Sequence, residues 1–118
     1  MIQPNNYTCG IYAIVNLTGK SPEIVSQYTD TTREGTTEEG IINCLIKLGY
    51  KPKEYRSNNP NNAYRWLKRN NSVILVDKWD HWITIKNNMV YDSIEGNKPL
   101  TRDMLEKWSY RGYYGIRI

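Results

Sequence analysis

Hydrophobic positions follow a helical spacing in the first part of this chain and a strand spacing in the later part. Ile11 to Leu17 is an almost unbroken apolar run that starts after Cys9-Gly10 and stops at Gly19. A glycine there suits a helix C-terminus, so the run predicts a buried helix with Cys9 at its start. Ser21-Pro22-Glu23 reads as N-cap, first helical residue and dipole partner of a short second helix ending near Gln27 or Tyr28. Thr36-Thr37-Glu38-Glu39 fits a capping box opening a third helix, with apolar residues at 41, 42, 45, 46 and 48 and Gly49 as its stop. Residues 51–60 read as loop or short strand, and 61–69 as a fourth helix with Trp66 and Leu67 inward. Beyond it the period changes. Residues 72–76 form a continuous apolar strand, and 81–85 and 89–93 flank Asn87-Asn88, a two-residue hairpin turn. Thr101 caps a last helix carrying Met104, Leu105 and Trp108, and 113–118 returns as a strand. Helices first and strands later predict an α+β domain, a helical half packed on an antiparallel sheet.

The hairpin has a register that can be worked out. With 87 and 88 in the turn, Lys86 faces Met89, Ile85 faces Val90 and Ile83 faces Asp92, so His81 and Asp92 lie on one face as diagonal neighbours. A shift of one residue would separate them. Asp80 adjoins the histidine in sequence but points to the opposite face. A carboxylate on one imidazole nitrogen fixes the tautomer and leaves the other nitrogen free to exchange a proton with a nucleophile.

Cys9 is the candidate nucleophile. Unpaired amides and the positive dipole end at a helix start favour thiolate over thiol, and a neighbouring imidazolium favours it further. Gly10 lets a substrate carbonyl approach the Cys9 backbone N–H, a candidate oxyanion donor. Gln3 lies upstream on a segment through Pro4, within reach of the same oxygen as a second donor. The chain holds a single histidine, so the assignment of the base has no competitor.

Composition narrows the alternatives. One domain spanning residues 1–118 is expected, with room for a single core. No apolar run approaches the length of a membrane span, and the N-terminus lacks the basic and apolar regions of a signal peptide, which predicts a cytoplasmic protein without membrane association. Cys44 shares an apolar helix face with Ile41, Leu45 and Leu48 and reads as a buried, reduced thiol. Two cysteines and one histidine, widely separated, make a poor zinc set, and the Cys-His chemistry needs neither metal nor organic cofactor. The net charge of +4 is dispersed along the chain. Ten tyrosines and four tryptophans stand beside no phenylalanine, a balance suited to a surface that binds an extended chain.

Gln3 followed by Cys9-Gly10, then His81-Trp82 opening an alternating strand, then Tyr91-Asp92-Ser93 on the next, resembles the papain-like cysteine peptidases. Within them the chain is most similar to the branch that removes double-glycine leader peptides from bacteriocins, together with its stand-alone relatives. The likeness continues through Glu34-Gly35-Thr36-Thr37 before a helix, the Gly49-Tyr50 stop and the late Leu105-Glu106-Lys107-Trp108 helix. It implies a papain-like fold in which Cys9 is nucleophile, His81 base, Asp92 its orienter and Gln3 an oxyanion donor. It also implies a peptide or protein substrate supplied in trans and cleaved at small residues, in a narrow cleft walled by tryptophans such as Trp79 or Trp82. Two other readings compete. One is a papain-like shell that binds protein without catalysis. The weaker one is a nucleic-acid-binding domain whose Tyr110, Tyr113 and Tyr114 stack on bases beside Arg111 and Arg117.

Overall fold

A computed structural model describes residues 9–29, 31–32, 35–76, 81–92, 96–108 and 112–118. The chain folds into α1 (Cys9–Thr18), α2 (Pro22–Tyr28), a small hairpin of β1 (Thr31–Thr32) and β2 (Gly35–Thr36), α3 (Glu38–Lys47), β3 (Lys53–Ser57), α4 (Pro60–Arg69), β4 (Ser72–Val76), β5 (His81–Lys86), β6 (Met89–Asp92), β7 (Gly96–Pro99), α5 (Arg102–Trp108) and β8 (Tyr113–Arg117). The fold is α+β, as the change of period predicts. The main sheet has six strands in the order β3-β8-β4-β5-β6-β7, and every pairing is antiparallel.

Local chemistry explains most boundaries. Ser21 caps α2, with its hydroxyl accepting from the Ile24 N–H, and Pro22 opens the helix. Gly19 ends α1 at φ +74°, with its N–H donating to the Val15 carbonyl at 2.9 Å. The expected capping box at 36–39 does not form. Thr36 is paired in β2, so Thr37 becomes the N-cap of α3, accepting from the Gly40 N–H at 3.0 Å. Three residues on stands a glycine, which has no side chain to reach back. The fourth helix starts at Pro60, one residue before the expected span, because Asn59 caps it through the N–H groups of Asn61 and Asn62. Of its two expected inward residues Leu67 is buried, whereas Trp66 is half-buried and stacks on Tyr55 with ring centroids 4.5 Å apart.

The sheet is covered on both faces. Val73, Trp82, Tyr114 and Ile116 point to the side covered by Ile14, Leu17, Val25, Ile41 and Leu45 of the first three helices. Ile74, Val76, Ile83, Ile85 and Val90 point to the side covered by Ala63, Leu67, Leu105 and Trp108 of α4 and α5. The helical half therefore forms one outer layer, and the two later helices form the other. This is why β4 reads as a continuous apolar run instead of an alternating one.

Candidate active site

The hairpin register matches the expectation: Lys86 pairs with Met89, Ile85 with Val90 and Thr84 with Tyr91. Asn87 and Asn88 take φ +53° and +64°, the left-handed pair that a two-residue turn of this kind requires. Two steps further along the ladder His81 and Asp92 meet, with Nε2 and Oδ1 2.9 Å apart. Both are buried, 7% and 9% exposed, so the pair is shielded from solvent and salt.

Cys9 reaches this pair from the other side of the sheet. The Thr84 hydroxyl donates to the Ala13 carbonyl, which ties the middle of α1 to the middle of β5. That tether carries the start of the helix to the start of the strand, where the sheet ends and the two faces meet. There Cys9 is hydrogen-bonded to the His81 ring and to the backbone N–H groups of Trp82 and Gly10. With Nε2 held by Asp92, Nδ1 is the imidazole nitrogen left for the sulfur. Sequence reasoning missed the Trp82 N–H and the Thr84 tether. A threonine inside the apolar strand His81-Trp82-Ile83-Thr84-Ile85 is the signal that pointed to the tether, since a buried hydroxyl must find a partner.

The electrostatics of the three groups are mutually dependent. Burial alone would raise the Cys9 thiol, but the His81 hydrogen bond, the two backbone N–H groups and the imidazolium charge outweigh it and hold the thiol below its ordinary value. Burial alone would depress the His81 imidazole. Hydrogen bonds to Asp92 and Cys9, and the negative charge on both, overcome it and lift the ring to about 9. Both shifts favour a thiolate beside an imidazolium, the combination needed for attack on a carbonyl followed by protonation of a leaving amine.

Gln3, the expected oxyanion donor, lies outside the described residues, as do Asp80, Trp79, Tyr110 and Arg111. Trp82 does not wall a cleft: it faces away from His81, is 3% exposed and sets its ring edge against Tyr114 in the core. Tyr113 and Tyr114 are also buried, and Tyr113 donates its hydroxyl to the Leu105 carbonyl at 2.6 Å, so neither offers a face for a base to stack on. Cys44 is fully buried and unbridged, with its sulfur 3.0 Å from the Thr29 hydroxyl, and burial pushes its thiol up. Among the described residues no three His, Cys, Asp or Glu side chains are grouped to hold a metal, and no helix is long and apolar enough to cross a membrane.

No protein-family model matches the sequence, and no curated protein is similar to it by sequence. Its likeness is to solved structures. A double-glycine motif protease from an AMS/PCAT transporter, solved in complex with the leader peptide, superposes with a TM-score of 0.75 at 14% identity over 100% of this chain and 90% of that one. The peptidase domain of Streptococcus ComA, a bifunctional ABC transporter of a quorum-sensing pathway, follows with a TM-score of 0.70 at 15% identity over 99% and 96%. The peptidase domain of Streptococcus mutans ComA gives 0.66 at 15% identity over 98% and 94%. The fold is thus that of the papain-like peptidase domains.

Proposed function

We propose that this protein is a cysteine peptidase that hydrolyses a peptide or isopeptide bond, with Cys9 as nucleophile, His81 as acid and base, and Asp92 as the group that orients the imidazole. The observation that carries this reading is the buried line from Cys9 through His81 to Asp92, in which Asp92 Oδ1 stands 2.9 Å from His81 Nε2 and the thiol is held low. The Cys9 thiolate attacks the carbonyl carbon, and the negative charge passes to the carbonyl oxygen. The Cys9 backbone N–H and the Gln3 side chain are the donors assigned to that oxygen. His81 gives its Nδ1 proton to the substrate nitrogen, the carbon–nitrogen bond breaks and the amine leaves. Water then attacks the thioester as His81 takes its proton, the carbon–sulfur bond breaks, and the thiolate–imidazolium pair is restored.

The leader peptide bound to one structural neighbour favours a peptide substrate presented in trans and cut after small residues. Residues 1–118 act as one catalytic domain in this reading.

The reading is tested by the pH dependence of Cys9 alkylation with iodoacetamide, located by mass spectrometry, in the wild type and in His81→Ala. Selective labelling of Cys9 well below pH 8, slowed in His81→Ala, is the expected result. Labelling with the profile of an ordinary thiol, unchanged by the substitution, would leave a papain-like shell without catalysis.

A further inference from the structure

A cavity of about 330 Å³ opens at the end of the sheet that carries the candidate triad, between Glu38 at the start of α3, Arg56 and Asn58 at the end of β3, Leu75 of β4, and Gly112 and Tyr114 at the start of β8. Its position relative to Cys9 follows from the ladder. Val76 stands opposite His81, and Leu75 stands opposite Trp82 on one side and Tyr114 on the other. Arg56 in turn stands opposite Tyr114. Trp82 and Tyr114 are buried on the face that α1 covers and Leu75 packs against the same cluster, so this side of the cavity shares a face with the cysteine helix, while Tyr113 of the other cluster also lines it. From His81 across β4 to Tyr114 is two strand spacings, about 10 Å at roughly 4.8 Å each. An extended peptide covers that distance in about three residues.

The strand order also gives a direction. Asp92 lies on β6, to one side of His81, and the cavity lies across β4 and β8, to the other. His81 must hand its proton to the departing amine, so the leaving group sits by the imidazole. The acyl part of the substrate runs away from it, over β4 toward β8.

The chemistry of the cavity then sets what it accepts. The Arg56 guanidinium lies 4.3 Å above the Tyr114 ring. Its Nη2 is 3.4 Å from Glu38 and 3.6 Å from Glu54, while the Tyr114 hydroxyl donates to Glu54 at 2.7 Å. Burial, the bond to Glu54 and the two carboxylates push that hydroxyl above its usual range, so it stays a neutral donor. Among the described residues, Glu38 on the cavity wall and Glu54 behind the Tyr114 hydroxyl thus stand against one guanidinium, leaving one negative charge in excess. An entering carboxylate is repelled, and an ammonium or guanidinium is attracted. The rim is closely built as well: a Cβ on Gly112 would come within 2.7 Å of Asn58 Oδ1 and 3.0 Å of the Ser57 carbonyl.

We propose that this cavity is a specificity subsite for a basic side chain, Lys or Arg, about three residues before the scissile bond. The proposal rests on the peptidase reading. Glu38 and Arg56 are part-exposed, with side chains 41% and 65% accessible, so the preference is modest, about threefold to fivefold.

The test uses three acetylated tripeptide vinyl sulfones ending in Gly-Gly, with Lys, Gln or Glu in the first position, and measures the rate at which each labels Cys9. The expected order is Lys, then Gln, then Glu in the wild type, flattened in Glu38→Gln and reversed in Glu38→Lys. Reversal cannot come from a misfolded variant, because it requires faster labelling by one probe. Equal rates for the three probes, or an order unchanged by Glu38→Lys, would overturn the subsite and leave the peptidase reading intact. Labelling by none of them, with iodoacetamide reacting as it does with an ordinary thiol, would overturn both.

Discussion

In the proposed reaction His81 performs two tasks that pull its protonation in opposite directions, since it must be charged to protonate the amine and neutral to accept a proton from water. Its elevation to about 9 makes the charged form the resting one and sets the alkaline limit of the reaction. Peptide hydrolysis should fall as pH rises through about 9, because the imidazolium is lost. Alkylation of Cys9 should not fall there, because it needs only the thiolate. Asp92 makes the larger of the two hydrogen bonds that raise the ring, so Asp92→Ala should move the alkaline limb to lower pH. It should also cut kcat by roughly 10⁴-fold, against about 10⁶-fold for Cys9→Ala or His81→Ala, the scale of serine-based triads. Full pH–rate profiles of a cleaved peptide would show both effects. An alkaline limb in the same place in Asp92→Ala and the wild type would mean that some other group holds the imidazolium.

At the scale of elements, the site exists because α1 is fixed against β5 at one height. The Thr84 hydroxyl on the Ala13 carbonyl is the polar tie at the middle of that contact, beside the Cys9 bonds at its end and an apolar remainder. Thr84→Val keeps the shape and removes the donor, so it should cost about 1 kcal/mol and lower Tm by several degrees. Cys9 alkylation at neutral pH should slow with it. A thermal scan and the iodoacetamide rate check both, and no change in either would show that apolar contacts alone set the height of the helix. The elements that build the site were legible as well. Asn87-Asn88 and the alternation around it define a hairpin and a register together, since a slip of one residue would turn Ile83 and Ile85 out of the core. Thr84 was readable in principle, but only with its partner in view. Elsewhere pairing overrode local signals. Gly96-Asn97-Lys98-Pro99 carries no strand pattern, and it is extended because β6 offers it a free edge. Lys53–Ser57 is charged and exposed in the manner of an edge strand, which reads equally well as loop. Thr36 looked like a helix cap until β2 claimed it.

For the whole molecule, the buried Cys9–His81 pair links stability to pH, and the sign can be worked out for each group. The folded His81 is raised from 6.5 to about 9. Its contribution is complete below 6.5 and is lost as pH rises through about 9, because the unfolded chain binds fewer protons there. The folded Cys9 is lowered from 9.0. Its contribution is complete above 9.0 and is lost as pH falls through the lowered value. Between the lowered Cys9 value and about 9 the two slopes oppose each other, since folding there takes a proton from sulfur and places one on nitrogen. The pair therefore makes wild-type stability change less there than either group would alone. Cys9→Ala removes one slope and leaves the other, since Asp92 still raises His81. Urea unfolding at pH 6.5 and 9 should show the variant losing stability over that interval, on the order of 1 kcal/mol, while the wild type changes less. Equal slopes in the two proteins would mean that the proton does not move from Cys9 to His81 on folding, and the nucleophile would be resting as a thiol.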